Sequence, residues 1–551
     1  MDIHPAAAER LARLAPDQRA AATAPPGPVL CVAPAGSGKT TTLVARITWL
    51  VASGMAPARI TALTFNRRAA DELAERLTAA LAPLARAGAA DGPAPRVRTF
   101  HALGREILAE AGVPVSGIVD RADVLRRLNG GRSLPGALLR RLDDGFSRIK
   151  LELGWSADDV RRQLTTPPAE SPAPDAPIPP AVAAAFLDYE AWLADHDALD
   201  FDDLVRRALA LLRAEPAVLA AWRERCTSLL VDEVQDVDRS QLELALLLAG
   251  EARNVFLVGD DDQTIYAWRL ADVRRVLDLA SALPGLRRVD LVTNYRCPAQ
   301  VVERAVRLIG ANRERFAKTI LPGPLAAGEL FLIADTGDEL VRARRLLGEW
   351  PARDSGSYAV LARTNAELAP FAAVALELGL PYRAADDGLL LDEPEVGELL
   401  AGLPDDRPPS VALAAAGGRG RLARSLLGWS LAHSTADGLR HAVADAQARR
   451  AELRRDDAQL ILATIHGTKG LEFDHVCCVG LDENVFPSRR TLEEADDPVR
   501  ALEEERRLAY VAWTRARRSL VLVYDPLAPS VFMREAFSDA ELDLARQRRP
   551  G

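Results

Sequence analysis

The sequence predicts an α/β protein built on parallel sheets, and three observations lead there. Short apolar runs alternate with amphipathic helical stretches along most of the chain. Two of these runs end in polar clusters, "SLLVDEVQD" and "NVFLVGDDDQ". In parallel sheets ligands gather beyond the carboxyl ends of the strands. A third run, "PVLCV", passes through the glycine turn "APAGSGKTT" into a helix.

Taken in order, Val29 to Val32 supply a buried strand and Thr40 to Val51 an amphipathic helix. "RITALTFNRRAADELAERL" is a second strand feeding a helix, and "VRTFHALGREIL" a third. A mainly helical, arginine-rich region follows to about residue 210, broken by the proline-rich residues 165–180, which read as an exposed loop. The two acid-ended strands come next. A second α/β region starts near "RVDLVTNYRCPAQVV", includes "SYAVLARTNAELAPF" and resumes with "LILATIHGTKGLEFDHVCCVGL" and "ERRLAYVAWTRARRSLVLVY". Residues 401 to about 455 read as a short insertion with a helical second half.

Composition narrows the class. The chain has 551 residues, too many for one ordinary domain, and a globular 48% hydrophobic fraction. Apolar runs fall short of the ~20 residues of a membrane span. Five cysteines, at 31, 226, 297, 477 and 478, lack zinc-ligand spacing, so reduced thiols and a cytoplasmic protein are expected. The net charge of −9 argues against a DNA-coating protein while leaving room for a local basic groove. Among 69 basic residues only four are lysines, at 39, 150, 318 and 469. Where lysine is nearly excluded, a retained one is needed as a compact point charge rather than a planar fork.

Lys39 closes the glycine turn. The P-loop pattern wants Gly, four residues, then Gly-Lys-Ser/Thr. Gly38, Lys39 and Thr40 fit, but the first position holds Ala33. Between a strand and a helix, such a turn aims backbone N–H groups and the helix N-terminus at phosphates. Lys39 would neutralise phosphate charge, and the Thr40 hydroxyl and Asp232 would hold Mg²⁺. Glu233, beside that aspartate, would orient or deprotonate water. Hydrolysis also calls for positive charge on the transferring phosphoryl group, and Arg296 and Arg515 stand out by their surroundings, "NYR" and "AWTRAR".

Together these segments resemble the UvrD/Rep/PcrA-type DNA helicases of superfamily 1, from about Leu14 to about residue 525. The resemblance implies two RecA-like P-loop NTPase domains with parallel sheets, a helical 1B insertion and a short 2B remnant. Domain 1A takes 1–103 and 206–283, with 1B at 104–205. Domain 2A takes 284–400 and 458–530, with a short insertion at 401–457 replacing 2B and a C-terminal tail at 531–551. It further implies an ATP site of Gln18, which reads adenine, the cradle Ala33, Pro34, Ala35, Gly36, Ser37, Gly38, Lys39, Thr40 and Thr41, and Gln263, which senses γ-phosphate. Tyr295 stacks on adenine, Arg296 and Arg515 act as fingers, and Glu472 binds ribose. The family's P-loop often lacks the first Gly, which accounts for Ala33. Thr41 replaces a common Arg, and Leu270 a usual Gly.

For DNA, the resemblance implies contacts from Phe65, Asn66, Thr99, His101, Tyr266, Trp268, Arg269 and His466. Base stacking tolerates any sequence, so Phe65, Tyr266 and Trp268 are the stacking candidates. Arg67, Arg68, Arg96 and Arg98 are candidates for phosphate. The expected function is an ATP- and Mg²⁺-dependent motor on single-stranded DNA, 3′ to 5′ by resemblance, acting at single/double-strand junctions. A repair or nuclease partner protein fits this class, and a membrane does not. Two alternatives remain: a translocase that strips proteins or needs a partner to unwind, and a repair scaffold with a degenerate ATPase.

Overall fold

The computed structural model describes residues 3–88, 90, 92–165, 178–267, 270–324, 326–336, 339–349, 356–389, 394–415, 430–431 and 433–547. The chain divides into two compact units. One holds Met1–Thr293 and Glu314–Thr319, the other Asn294–Arg313 and Ile320–Gly551.

The first unit is built on a six-stranded sheet of β1 (Val29–Val32), β2 (Ile60–Thr64), β3 (Arg96–Thr99), β4 (Ser228–Val231), β5 (Val255–Gly259) and β6 (Arg287–Asp290). The order is β3-β2-β4-β5-β1-β6 and every pairing is parallel. β1, β2, β4 and β5 are buried throughout, as strands covered on both faces must be. Their period-2 alternation separates two cores. Leu30, Val32, Leu63, Leu229, Val231 and Leu257 point to one. Val29, Cys31, Ala62, Leu230, Phe256 and Val258 point to the other.

β6 corrects the expected boundary at 283/284. Its register, Val29 opposite Arg287 through Val32 opposite Asp290, makes it the edge strand beside β1. The first unit therefore runs on to Thr293. The expected boundary at 205/206 falls inside the helix Phe201–Ala214. That helix lies against the helix Phe100–Glu110, where a Cβ on Gly104 would come 2.4 Å from the Leu204 carbonyl oxygen. Only glycine permits that approach.

The region between these helices has its own core, with Val124, Phe146, Ile149, Val182, Phe186 and Tyr189. Beside it the fully buried Lys150 ammonium lies 2.8 Å from Glu190 and 3.0 Å from both Asp200 and Asp203. Asp200 also caps the helix Phe201–Ala214 by accepting from the Asp203 N–H. The proline-rich stretch lies outside the described residues from 166 to 177.

The second unit repeats the parallel layout. β9 (Glu329–Ala334), β10 (Tyr358–Ala362), β11 (Tyr382–Arg383), β12 (Leu460–Thr464), β13 (Phe473–Cys478) and β14 (Ala516–Tyr524) are ordered β11-β12-β10-β13-β14-β9. The short β7 (Thr293–Asn294) and β8 (Leu321–Pro322) form a separate two-stranded ribbon. Val360, Phe371, Leu376, Leu462 and Val523 share the core. Within 401–457 the helices Pro409–Ala415 and Ala436–Leu453 are described. Residues 531–551, expected as a tail, instead begin with the helices Val531–Ala536 and Asp539–Gln547. Phe532, Met533 and Phe537 are buried there because they complete the apolar surface of this unit.

Candidate active site

The glycine loop follows β1 directly. Ala33 is fully buried and donates its N–H to the Gly259 carbonyl at 2.8 Å, continuing the β1–β5 ladder. Of the loop residues, only Gly36 and Gly38 have positive φ, 70° and 85°. Position 33 therefore needs no glycine, and its methyl packs in the core. The loop ends at Gly38, which precedes the helix Lys39–Ala52, so that helix points its free N–H groups at the loop. The buried Ser37 hydroxyl makes no hydrogen bond, an orphaned polar atom that suits a cradle built for a polar ligand.

Gln18 braces this loop. Its Nε2 donates to the Ser37 carbonyl at 2.8 Å, and its Oε1 accepts from the Ala15 N–H at 3.2 Å. A methyl on Gly38 would sit 2.6 Å from that Nε2. The side chain expected to read adenine is thus buried against the loop backbone.

Asp232 and Glu233 lie beyond the end of β4. Lys39 Nζ is 3.5 Å from Glu233 Oε2. Glu233 has φ 51° and ψ 46°, a left-handed conformation rare outside glycine. Strain of this kind collects at functional sites, where the surroundings impose it. Burial pushes the Asp232 carboxyl up to about 7, and the charge of Glu233 adds to the rise against the pull of Lys39. Lys39 supplies positive charge beside the two carboxylates, and the carboxyl of Asp232, raised by burial, suits a cation. The Asp232 carboxylate and the Thr40 hydroxyl are oxygen donors of the kind that Mg²⁺ takes. Gln263 lies past the end of β5, with its Nε2 2.7 Å from Asp260 Oδ2.

In the second unit, four expected residues gather. Arg296 Nε donates to Glu472 Oε2 at 2.7 Å and its Nη1 to the Thr514 carbonyl at 3.2 Å. Arg515 is buried and donates to the carbonyls of Val511 at 2.9 Å and Leu471 at 3.1 Å. Tyr295, next in sequence to Arg296, is 49% exposed, which leaves its ring face open to stacking.

Of the DNA candidates, Phe65 and Tyr266 meet. They lie on the loops that follow β2 and β5, and their rings stack at 5.2 Å. Asn66 and Thr99 cap helices, accepting from the N–H groups of Ala69 at 2.9 Å and Ala102 at 3.2 Å. His101 meets Phe201 edge-on at 6.3 Å. Arg96 and Arg98 both pair with Glu106, at 3.2 and 3.0 Å. His466, after β12, is held well below the usual imidazole range, at about 4, by burial and then by Arg363 and Lys469. Trp268 and Arg269 lie outside the described residues.

Sequence reasoning passed over Gln235, Asp260 and Lys318. Gln235 Nε2 lies 2.5 Å from Glu233 Oε2, and its Oε1 accepts from the Asp260 N–H at 3.0 Å. The only sequence signal for Lys318 was the scarcity of lysine.

Residues 14–284 match the UvrD/REP helicase N-terminal domain, and residues 422–526 the UvrD-like helicase C-terminal domain. The chain is 31% identical to the ATP-dependent DNA helicase UvrD2 of Mycobacterium tuberculosis, over 93% of this chain and 78% of the relative. It is 28% identical to DNA helicase II of Escherichia coli, over 92% and 84% respectively. With the ATP-dependent DNA helicase PcrA of Bacillus subtilis the identity is 27%, over 93% and 82%. The alignment with DNA helicase II runs to 630 positions against a chain of 551 residues, so that relative carries segments with no counterpart here.

Proposed function

The chain belongs to the UvrD/REP helicase family, and from that premise we propose that it hydrolyses ATP to move 3′ to 5′ along single-stranded DNA and unwind the duplex ahead. The observation that carries the proposal is the placement of Lys39 Nζ 3.5 Å from Glu233 Oε2, between a glycine cradle and a buried aspartate. That arrangement has what phosphoryl transfer to water needs: a fixed positive charge for the phosphates and a carboxylate for the nucleophile.

In this reading the loop N–H groups and Lys39 hold the β- and γ-phosphates. Thr40 and Asp232 hold Mg²⁺, which when bound supplies charge neutralisation at the phosphate oxygens. Glu233 accepts the proton of the attacking water, and Gln263 orients that water against the γ-phosphate. Arg296 and Arg515 stabilise the charge of the transferring group, Tyr295 takes the adenine face and Glu472 the ribose. Phe65 and Tyr266 take DNA bases.

The test is ATP hydrolysis with and without single-stranded DNA, beside unwinding of duplexes carrying a 3′ or a 5′ tail. Stimulation by DNA with unwinding from the 3′ tail is expected. A hydrolysis rate indifferent to DNA would sink the motor and leave a scaffold. A second reading, a translocase that unwinds only with a partner, is favoured by the segments its relatives carry and this chain lacks. Strong stimulation without strand separation would select it.

A further inference from the structure

Lys318 is buried in the first unit at the centre of an acidic cluster. The segment Glu314–Thr319 belongs to this unit although the residues on either side belong to the other. The Lys318 ammonium is fully buried, 2.7 Å from Asp260 Oδ1 and 2.9 Å from Asp262 Oδ2, with Asp261 as a third partner. Arg315 adds a two-pronged pair to Asp262, at 2.9 and 2.7 Å. Such a cluster costs desolvation and is weak evidence for stability alone, so its connections matter.

They lead to the candidate hydrolytic residues. Asp260 gives Oδ1 to Lys318 and Oδ2 to Gln263 Nε2, at 2.7 Å each. Its own N–H donates to Gln235 Oε1 at 3.0 Å, and Gln235 Nε2 reaches Glu233 Oε2 at 2.5 Å. Glu233 faces Lys39. A continuous polar chain thus runs from Lys318 through Asp260 to Gln263 on one branch and to Glu233 on the other. Gly259 is cut to fit it, since a Cβ there would lie 2.3 Å from Gln235 Oε1. Buried networks fully satisfied in this way fix side-chain geometry.

We propose that Lys318 is a positioning residue for ATP hydrolysis. By fixing Asp260 it orients Gln263 and, through Gln235, the general base Glu233. This rests on the hydrolytic reading above. The role is in placing the attacking water and not in holding nucleotide, so kcat and affinity respond differently. A misplacement of about 1 Å costs on the order of 100-fold in rate.

The experiment compares wild type with D261N/K318M, which removes the ammonium together with one negative charge and leaves Asp260 intact. DNA-stimulated kcat and the Kd of a fluorescent ATP analogue are measured, with a thermal melt. The expected result is kcat lower by about 10- to 100-fold, with Kd within about twofold of wild type. Retained kcat, or equal loss of kcat and affinity, overturns the positioning role while wild-type hydrolysis upholds the parent reading. A wild-type chain without ATPase activity overturns both. Should the double variant not fold, Gln235→Met interrupts the branch to Glu233. It should show the same split, and unchanged kcat there rejects the proposal.

Discussion

Phe65 and Tyr266 stack almost face to face, their ring centroids 5.2 Å apart and their planes 16° from parallel. The two residues come from different strand ends of one sheet, and both rings are half-buried. A base stacked on this pair would gain about 1–3 kcal/mol. Gln263, expected at the γ-phosphate, precedes Tyr266 on the same loop, so the stack adjoins a nucleotide residue along the chain.

Truncating either ring tests that. Phe65→Ala or Tyr266→Ala should weaken binding of single-stranded DNA by about 1–3 kcal/mol, read by fluorescence anisotropy. Hydrolysis without DNA should stay within about twofold of wild type, because the role given to these rings is to take bases and not to hold nucleotide. A parallel fall in basal hydrolysis would mean the pair serves packing.

Lys39→Ala should abolish hydrolysis, since the lysine's charge is directed at phosphate. The melting temperature should change little. The lost pair with Glu233 is partly exposed, and such pairs contribute about 0–1 kcal/mol. Near-native activity in this variant would remove the P-loop assignment.

How far the sequence could be read depended on whether a feature was local. β1 and the helix after it were legible because apolar run, glycine turn and amphipathic stretch are contiguous. The Ala33 departure was legible as tolerable, and the backbone gives the reason: positive φ falls on Gly36 and Gly38. β6 was assigned to the wrong unit because nothing in "RRVDLV" says which sheet it joins; its pairing with β1 does. Lys318, Asp260 and Gln235 were illegible as a group because folding alone brings them together. Asn66 and Thr99 show the opposite limit. Their motif context pointed to DNA, while their side-chain oxygens also cap helices.

His466 yields a pH prediction with a definite sign. Its folded-state pKa, at about 4, lies below the ordinary value of 6.5, first through burial and then through Arg363 and Lys469. Between these limits the unfolded chain binds more protons, so stability falls as pH drops from 6.5 toward 4 and is unaffected by this residue above 6.5. The difference in melting temperature between pH 7 and pH 5 should therefore shrink in His466→Gln. The imidazole is neutral at pH 7, so the same variant should leave the salt dependence of DNA binding unchanged. A reduced salt slope would show a charged contact.

The resemblance leads to an expectation of glycine at position 270, and the φ of 66° at Leu270 is a left-handed backbone that favours glycine. A left-handed backbone costs a residue with a Cβ roughly 1–2 kcal/mol. Leu270 offsets part of this by packing against the core that includes Val276 and Leu279. Two substitutions separate the effects. Leu270→Ala loses the packing and keeps the strain, whereas Leu270→Gly loses the packing and releases it. The glycine variant should therefore be the more stable of the two by about 1 kcal/mol, measured by urea denaturation. This reverses the order expected at a position with ordinary backbone, where alanine is favoured over glycine. If alanine proved the more stable here as well, the left-handed conformation at 270 would be wrong.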